Sequence, residues 1–152
     1  MDTVLLTGAA SGIGRAAARR LAAAGHRCVL VDRNAPALQA LRAELPAPAD
    51  AGHLARVTDL TDASQIAALT DGMPRLDALI NNAGMTDSSN RPTVDQAAGD
   101  WQRLLDLNLR APARLVSALR SRLVPGARVV NVASGAGPVS YTHLTLPTIL
   151  LV

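Results

Sequence analysis

Short apolar runs alternate along this chain with longer stretches whose apolar residues recur at helical spacing. Thr3 to Thr7 has the length and β-rich texture of a strand. Ile13 to Ala24, rich in Ala and Leu, predicts a helix, with Gly25 where a helix-ending glycine belongs. Cys28 to Val31 predicts a second buried strand, closed by Asp32. Ala37 to Leu45 predicts a helix stopped by Pro46 and Pro48. A third strand, Leu54 to Val57, runs out at Asp59, and Asp62 to Leu69 predicts a short helix capped by Asp62. Leu76 to Ile80 predicts a fourth strand leading into Asn81-Asn82-Ala83-Gly84, and Met85 to Val94 a polar loop. A long helix is expected from about Asp100 to Leu123, with Trp101, Leu104, Leu105, Leu115 and Leu119 on its buried side. Arg128 to Ala133 predicts a fifth strand. Such alternation predicts a parallel sheet with helices on both faces.

The texture breaks near Pro138. From there to Val152 the chain has no Asp, Glu, Arg, Ala or Gly, and no helical or two-residue period. What precedes the break fits one domain: the chain has 152 residues, 49% of them hydrophobic, which argues against disorder. No apolar run approaches the roughly 20 residues of a membrane helix, so no membrane partner is expected. Met1-Asp2-Thr3 leads into an apolar segment without a basic stretch, so no secretory signal is expected. The single cysteine, Cys28, has no internal disulfide partner and reads as a core thiol, which favours a reducing, cytoplasmic location.

Charge adds little. All 15 basic residues are arginine, and the net charge of +3 comes from a small excess rather than a block. Arg15, Arg19, Arg20, Arg103, Arg110, Arg114, Arg120 and Arg122 read as solvated faces. One Trp, one Tyr and no Phe leave almost no base-stacking platform, so no nucleic-acid partner is expected. His26, His53 and His143 lack metal-ligand spacing.

The strongest chemical signal is Thr7-Gly8-Ala9-Ala10-Ser11-Gly12-Ile13-Gly14, between the first strand and the first helix. Glycines there permit a tight turn and a close backbone approach to a pyrophosphate, and the helix start offers free N–H groups and a positive dipole end. Taken alone, the segment is also compatible with a plain strand–helix turn. Its spacing is G-x-x-x-G-x-G, and with no G-K-[ST] it is not an ATPase phosphate loop. Asp32 ends the second strand eighteen positions after Gly14, where the acid of a dinucleotide fold accepts from the ribose hydroxyls. Its carboxylate would repel a 2′-phosphate and so favours NAD over NADP. Arg33 could instead hold that phosphate, and Asp32 could simply cap the next turn.

Together with Thr7 to Gly14, the segments Asp59-Leu60, Asn81 to Gly84, Leu107-Asn108-Leu109 and Val130 to Ser134 occur in the order and spacing of the short-chain dehydrogenase/reductase family, which Asp2 to Gly137 resembles. The resemblance implies a Rossmann-type α/β three-layer sandwich. The family strand order 3-2-1-4-5-6-7 is shortened here to 3-2-1-4-5, leaving an open edge at strand 5 and an uncovered helix stripe that favour aggregation. It implies that Gly8, Ser11, Gly12, Ile13 and Gly14 wrap a pyrophosphate and that Asp59 and Leu60 meet the adenine. Asn82, Ala83 and Gly84 would lie along the nicotinamide-side ribose, and Asn81 would tie the central strands. Asn108 would interrupt the long helix and anchor a proton-relay water, and Ser134 would bond the substrate oxygen. Outside that resemblance, Asp59 reads as a turn residue, Asn108 as a solvated helical Asn and Ser134 as a strand-end Ser.

The family's Tyr-x-x-x-Lys acid/base pair has no match. Tyr141 stands only seven positions after Ser134, Thr145 occupies the lysine position, and the chain has no lysine. Val139 to Thr148 resembles one reading frame of a transposon-based sequencing adaptor. The expectation is therefore an incomplete domain over residues 1–137 and a non-native tail over 138–152. The expected activity of the intact protein is NAD(P)-dependent interconversion of a small alcohol and a carbonyl, in a homodimer or homotetramer, with this chain itself inactive. A non-catalytic dinucleotide-binding sensor is the second reading. An S-adenosylmethionine-dependent methyltransferase shares the glycine turn but not the Asn81 to Gly84 and Ser134 features.

Overall fold

A computed structural model of the chain describes residues 1–48, 52–86 and 97–133. Most of the expected polar loop, Ser134, Tyr141, His143 and the 138–152 segment lie outside the described residues. Five described strands form one parallel sheet in the order β3-β2-β1-β4-β5: β1 (Thr3–Thr7), β2 (Arg27–Asp32), β3 (Leu54–Val57), β4 (Leu76–Asn81) and β5 (Leu123–Asn131). The described helices are α1 (Gly12–Ala23), α2 (Ala35–Glu44), α3 (Ala63–Leu69), α4 (Ala98–Leu105) and α5 (Ala111–Leu119), with a π-helical segment, Asp106–Arg110, joining the last two. The chain builds outward from β1 to β3, then crosses back to β4 beside β1. That reversal opens a crevice at the carboxyl ends of the strands.

Parallel strands need crossovers, and the helices cover both faces of the sheet, so the strands are apolar on both sides. Leu5, Val29, Val31 and Leu79 pack with Ile66, Leu69, Leu115 and Leu119 of α3 and α5. The alternate positions Leu6, Cys28 and Leu30 pack with Ala18 and Ala22 of α1 and Leu38 and Leu41 of α2. Fully burying each leucine contributes about 1.5–3 kcal/mol. The result is the three-layer, Rossmann-type arrangement and strand order expected from the sequence.

Local signals set most boundaries. Helix α1 ends where Gly25 adopts φ +83°, its amide donating to Ala22 O at 2.9 Å and that of His26 to Leu21 O at 3.0 Å. Helix α2 starts two residues before the expected Ala37, because the Asn34 side chain caps it by accepting from Ala37 N at 3.1 Å. Asp62 caps α3 through Ser64 N at 2.8 Å. On the surface, Glu44 accepts from Arg19 and Arg15 at 2.9 and 3.0 Å. The hydrogen bond from Arg19 and then that from Arg15 hold its carboxyl at about 2. The benefit is complete above the ordinary glutamate range, is lost as pH falls towards about 2, and is screened by salt.

Three expectations are corrected. The long helix does not run to Leu123, because α5 ends at Leu119; the break at Asp106–Arg110 falls where the resemblance put one. Leu76 N donates to Arg122 O at 2.8 Å, and Leu123 already pairs with Leu76 in the sheet. Nor is its buried side where the spacing places it. Leu115 and Leu119 are buried and Leu104 is half-buried, but Trp101 and Leu105 are 41% and 40% exposed, because among the described residues nothing covers α4 fully. The β5 pairing also starts before the expected Arg128, at Leu123, and its register jumps between Leu76↔Leu123 and Ala78↔Arg128. The extra residues bulge out around Gly126, at φ +82°. Asp77, inside the irregularity, accepts from Thr3 N at 2.7 Å and so ties β4 to the start of β1.

His53 is a buried structural link. Its Nδ1 accepts from Cys28 N at 3.0 Å and its Nε2 donates to Pro46 O at 2.9 Å, which makes it the neutral Nε2–H tautomer. Burial alone pushes the adjacent Cys28 thiol up to about 11, consistent with a core thiol. Replacing His53 by Ala leaves the Cys28 amide and the Pro46 carbonyl without partners. A loss of roughly 1–3 kcal/mol in urea denaturation is expected, with a smaller loss for His53→Gln. An unchanged midpoint for His53→Ala would show that the link contributes nothing.

Candidate functional site

The turn between β1 and α1 is built on steric necessity. Gly8 and Gly12 have φ of +63° and +49°, a region that favours glycine. A Cβ at Gly8 would lie 2.8 Å from Ala83 Cα. One at Gly14 would overlap the Gly8 carbonyl oxygen and lie 2.6 Å from Asn82 Nδ2. Gly8 and Gly14 therefore let the turn pack on the segment after β4, while Gly12 faces open space.

The amides of this turn fall into two sets. Ala9 N donates to Val31 O at 3.2 Å, and Ala10 N to Asp32 Oδ2 at 2.9 Å. Among the described residues, the amides of Ser11, Gly12, Ile13 and Gly14 have no acceptor, and the Ser11 side chain makes no capping bond. The candidate anion cradle is thus the run of amides from Ser11 to Gly14. Its four free amides at the positive end of a twelve-residue helix suit a phosphate or diphosphate.

Thr7 and Asn82 fix this cradle to β4. The Thr7 hydroxyl, 1% exposed, donates to Ile80 O at 3.3 Å and accepts from Asn82 N at 2.9 Å and Ala83 N at 3.0 Å. That uses its one hydrogen and both lone pairs. Asn82 Nδ2 donates to Thr7 O at 2.9 Å and Gly8 O at 3.2 Å, so its side chain is committed to the turn. The sequence alone marks Thr7 only as a strand end; the signal that could have found it is a hydroxyl where an apolar strand meets a glycine.

On the other side of the turn, Asp32 accepts from Asn34 N through Oδ1 at 2.9 Å as well as from Ala10 N. Arg33 is exposed beside it. Asp59 accepts from Thr61 N at 2.9 Å and Thr61 Oγ1 at 2.7 Å. Those bonds, with a smaller attraction from Arg33, hold its carboxyl below the usual range, so it is an ionised acceptor at neutral pH. Leu60 packs its side chain into the core beside Ile66, which leaves its backbone for any contact with a base.

An open cleft of about 1190 Å³ continues from the turn across the ends of β4 and β5. Ile13, Ala83, Gly84, Asn108, Val116 and Val132 are among the residues lining it. Asn108, in the π-helical segment, clamps Met85: its Oδ1 accepts from the amide at 2.9 Å and its Nδ2 donates to the carbonyl at 2.8 Å. It lies within the interruption of the helix, as the resemblance implied, and although exposed it is bonded to backbone groups of the protein. Asn81 Nδ2 donates to Asn131 Oδ1 at 2.8 Å and ties β4 to β5, while its own Oδ1 is buried and has no partner among the described residues. Val132 and Ala133 reach the cleft, and Ser134 follows them outside the described residues.

A parallel sheet that reverses at β1, a glycine turn opening onto free helix amides and a strand-end carboxylate beside it define a Rossmann-type α/β protein. The short chain dehydrogenase family model matches residues 2–146. Sulfoacetaldehyde reductase of Chromohalobacter salexigens is 38% identical over 146 residues, which cover 92% of this chain and 57% of that protein. Serine 3-dehydrogenase of Agrobacterium fabrum is 37% identical, over 91% of this chain and 56% of its own length. Among solved structures, a short-chain dehydrogenase from Sphingobium yanoikuyae in complex with NADPH superposes with a TM-score of 0.78 at 38% identity, over 90% of this chain and 55% of that one. The chain belongs to the short-chain dehydrogenase/reductase family and spans about half the length of the curated relatives it matches.

The Thr7 hub carries a direct test. Thr7→Val keeps the shape but strands the Asn82 and Ala83 amides, each at roughly 1–3 kcal/mol. Thermal denaturation is expected to shift down for Thr7→Val and to stay near the starting value for Thr7→Ser. Equal shifts would remove the hydroxyl from the account.

Proposed function

We propose that the turn and cleft bind NAD, with NADP the weaker ligand, and that the intact protein interconverts a small alcohol and a carbonyl by hydride transfer. The observation that carries this reading is the Asp32 carboxylate at the edge of the four free amides of α1. The amides suit the diphosphate, and Asp32 suits ribose hydroxyls while repelling a 2′-phosphate. Arg33, exposed beside Asp32, would counter that repulsion. The bound dinucleotide supplies the hydride chemistry; the protein supplies position and charge. Asp59 and the backbone at Leu60 would face the adenine. Ala83 and Gly84 would face the nicotinamide-side ribose, with Asn82 holding the turn beneath it. Asn108 would shape the floor near the reacting carbon, and Ser134 would donate to the substrate oxygen.

This chain is proposed to be inactive, because no tyrosine and lysine stand at the Tyr-x-x-x-Lys spacing beyond Ser134. Residues 1–137 are read as an incomplete domain and 138–152 as a non-native tail. The family match ends at residue 146, past the composition break, so the downstream DNA is the arbiter. A native continuation encoding this tail would remove the fragment reading and favour the second one, a non-catalytic dinucleotide sensor. A continuation into Tyr-x-x-x-Lys would support the enzyme. The intact protein is read as a cytoplasmic homodimer or homotetramer; no described helix is long and apolar enough to cross a membrane.

Calorimetry on this chain is expected to show binding of NAD tighter than NADP, and no turnover with alcohols or ketones. Failure of both dinucleotides to bind would sink the proposal, and measurable hydride transfer would show that another acid takes the place of the tyrosine.

A further inference from the structure

We propose that Asp32 is a positioning residue for the glycine turn as well as the selector of the ribose, so that cofactor preference and diphosphate grip are coupled through one carboxylate. The ribose half rests on the reading above; the turn half rests on geometry alone. Asp32 Oδ2 accepts from Ala10 N at 2.9 Å, and one residue earlier in each segment Ala9 N donates to Val31 O at 3.2 Å. These two bonds sew the turn to the end of β2. Asp32 Oδ1 accepts from Asn34 N at 2.9 Å, which fixes the carboxylate plane and delivers the chain into the cap of α2. Ala10 is buried, and the half-buried Asp32 carboxylate is the acceptor that holds its amide in place. The amides that stay free, Ser11 to Gly14, follow directly in the chain, and their direction depends on where Ala10 is held.

The coupling predicts effects of opposite sign from those of charge alone. Removing the carboxylate takes a negative charge away from the anion cradle, which by Coulomb's law tightens diphosphate binding. Removing the anchor lets the turn drift, which weakens it. Asp32→Ala does both, whereas Asp32→Asn removes the charge, keeps its one carbonyl oxygen for the Ala10 amide and gives up only the bond from Asn34 N, because its Nδ2 cannot accept. The two variants therefore lose the same repulsion toward a 2′-phosphate, but only Asp32→Asn converts that loss into tighter NADP binding.

The test uses the full chain and three probes: inorganic pyrophosphate, which has no ribose, NAD and NADP. In the unmodified, ligand-free chain, hydrogen exchange by NMR is expected to be slower at the Ala10 amide than at Ser11 and Gly12; equal rates overturn the proposal without any variant. Asp32→Ala is expected to speed Ala10 exchange and weaken pyrophosphate binding by about tenfold, read from the amide shifts of Gly12 and Gly14. Asp32→Asn is expected to hold pyrophosphate at least as well as the unmodified chain and to bind NADP more tightly than Asp32→Ala does. Tighter pyrophosphate binding by Asp32→Ala, or equal NADP gains in both variants, overturns the positioning role. Failure of NAD and NADP to bind the unmodified chain, with the exchange and pyrophosphate results intact, removes the ribose reading and leaves the turn role standing.

Discussion

The van der Waals contact between the glycine turn and the chain leaving β4 governs the rest of this structure. Gly14 lies directly against the Gly8 carbonyl, and Gly8 against the backbone of Ala83, with no room for a methyl group at either position. This closeness brings the start of α1, the end of β1 and the Asn82-Ala83-Gly84 segment into one wall. It also lets one hydroxyl and one amide, those of Thr7 and Asn82, make five hydrogen bonds across it. A methyl at either glycine would separate these elements and dissolve the crevice that the strand order creates.

Behind that wall the sheet is held from both sides. Alternate strand residues feed two separate cores, and the small residues Ala18 and Ala22 let α1 approach its face closely. The far side of the sheet is less finished. Strand β5 is the last strand in the described order, and Val129 and Val130 along it and Val132 just beyond it are 41–47% exposed. Trp101, Leu105 and Leu109 of the helical segment before α5 are exposed as well.

The site's polar groups are for the most part committed to the scaffold. Asp32 serves Ala10 and Asn34, Asp59 serves Thr61, and Asn108 serves both backbone groups of Met85. What is left for a ligand is mainly backbone: the Ser11 to Gly14 amides and the Ala83–Gly84 edge of the cleft. Recognition by backbone is rigid, because its position is set by secondary structure rather than by rotamers. It also explains why so few side chains in the site are charged.

Much of this was legible in one dimension. Strand and helix order follow from periodicity, which depends only on which residues shun water and at what interval. The glycine turn and Asp32 could be picked out because each marks the end of a strand, and the Asn81 to Gly84 segment because it resembles the family's pattern. The course of the long helix could not, since apolar spacing does not say whether a partner surface exists. Trp101 and Leu105 have helical spacing but no cover, and Leu123 is drawn into the sheet by pairing with Leu76. Nor could the sequence say which turn amides are free, or that Thr7, Asn82 and Asp32 are anchors. Those facts depend on hydrogen bonds between residues as far as 76 positions apart, which exist only once the strands stand side by side.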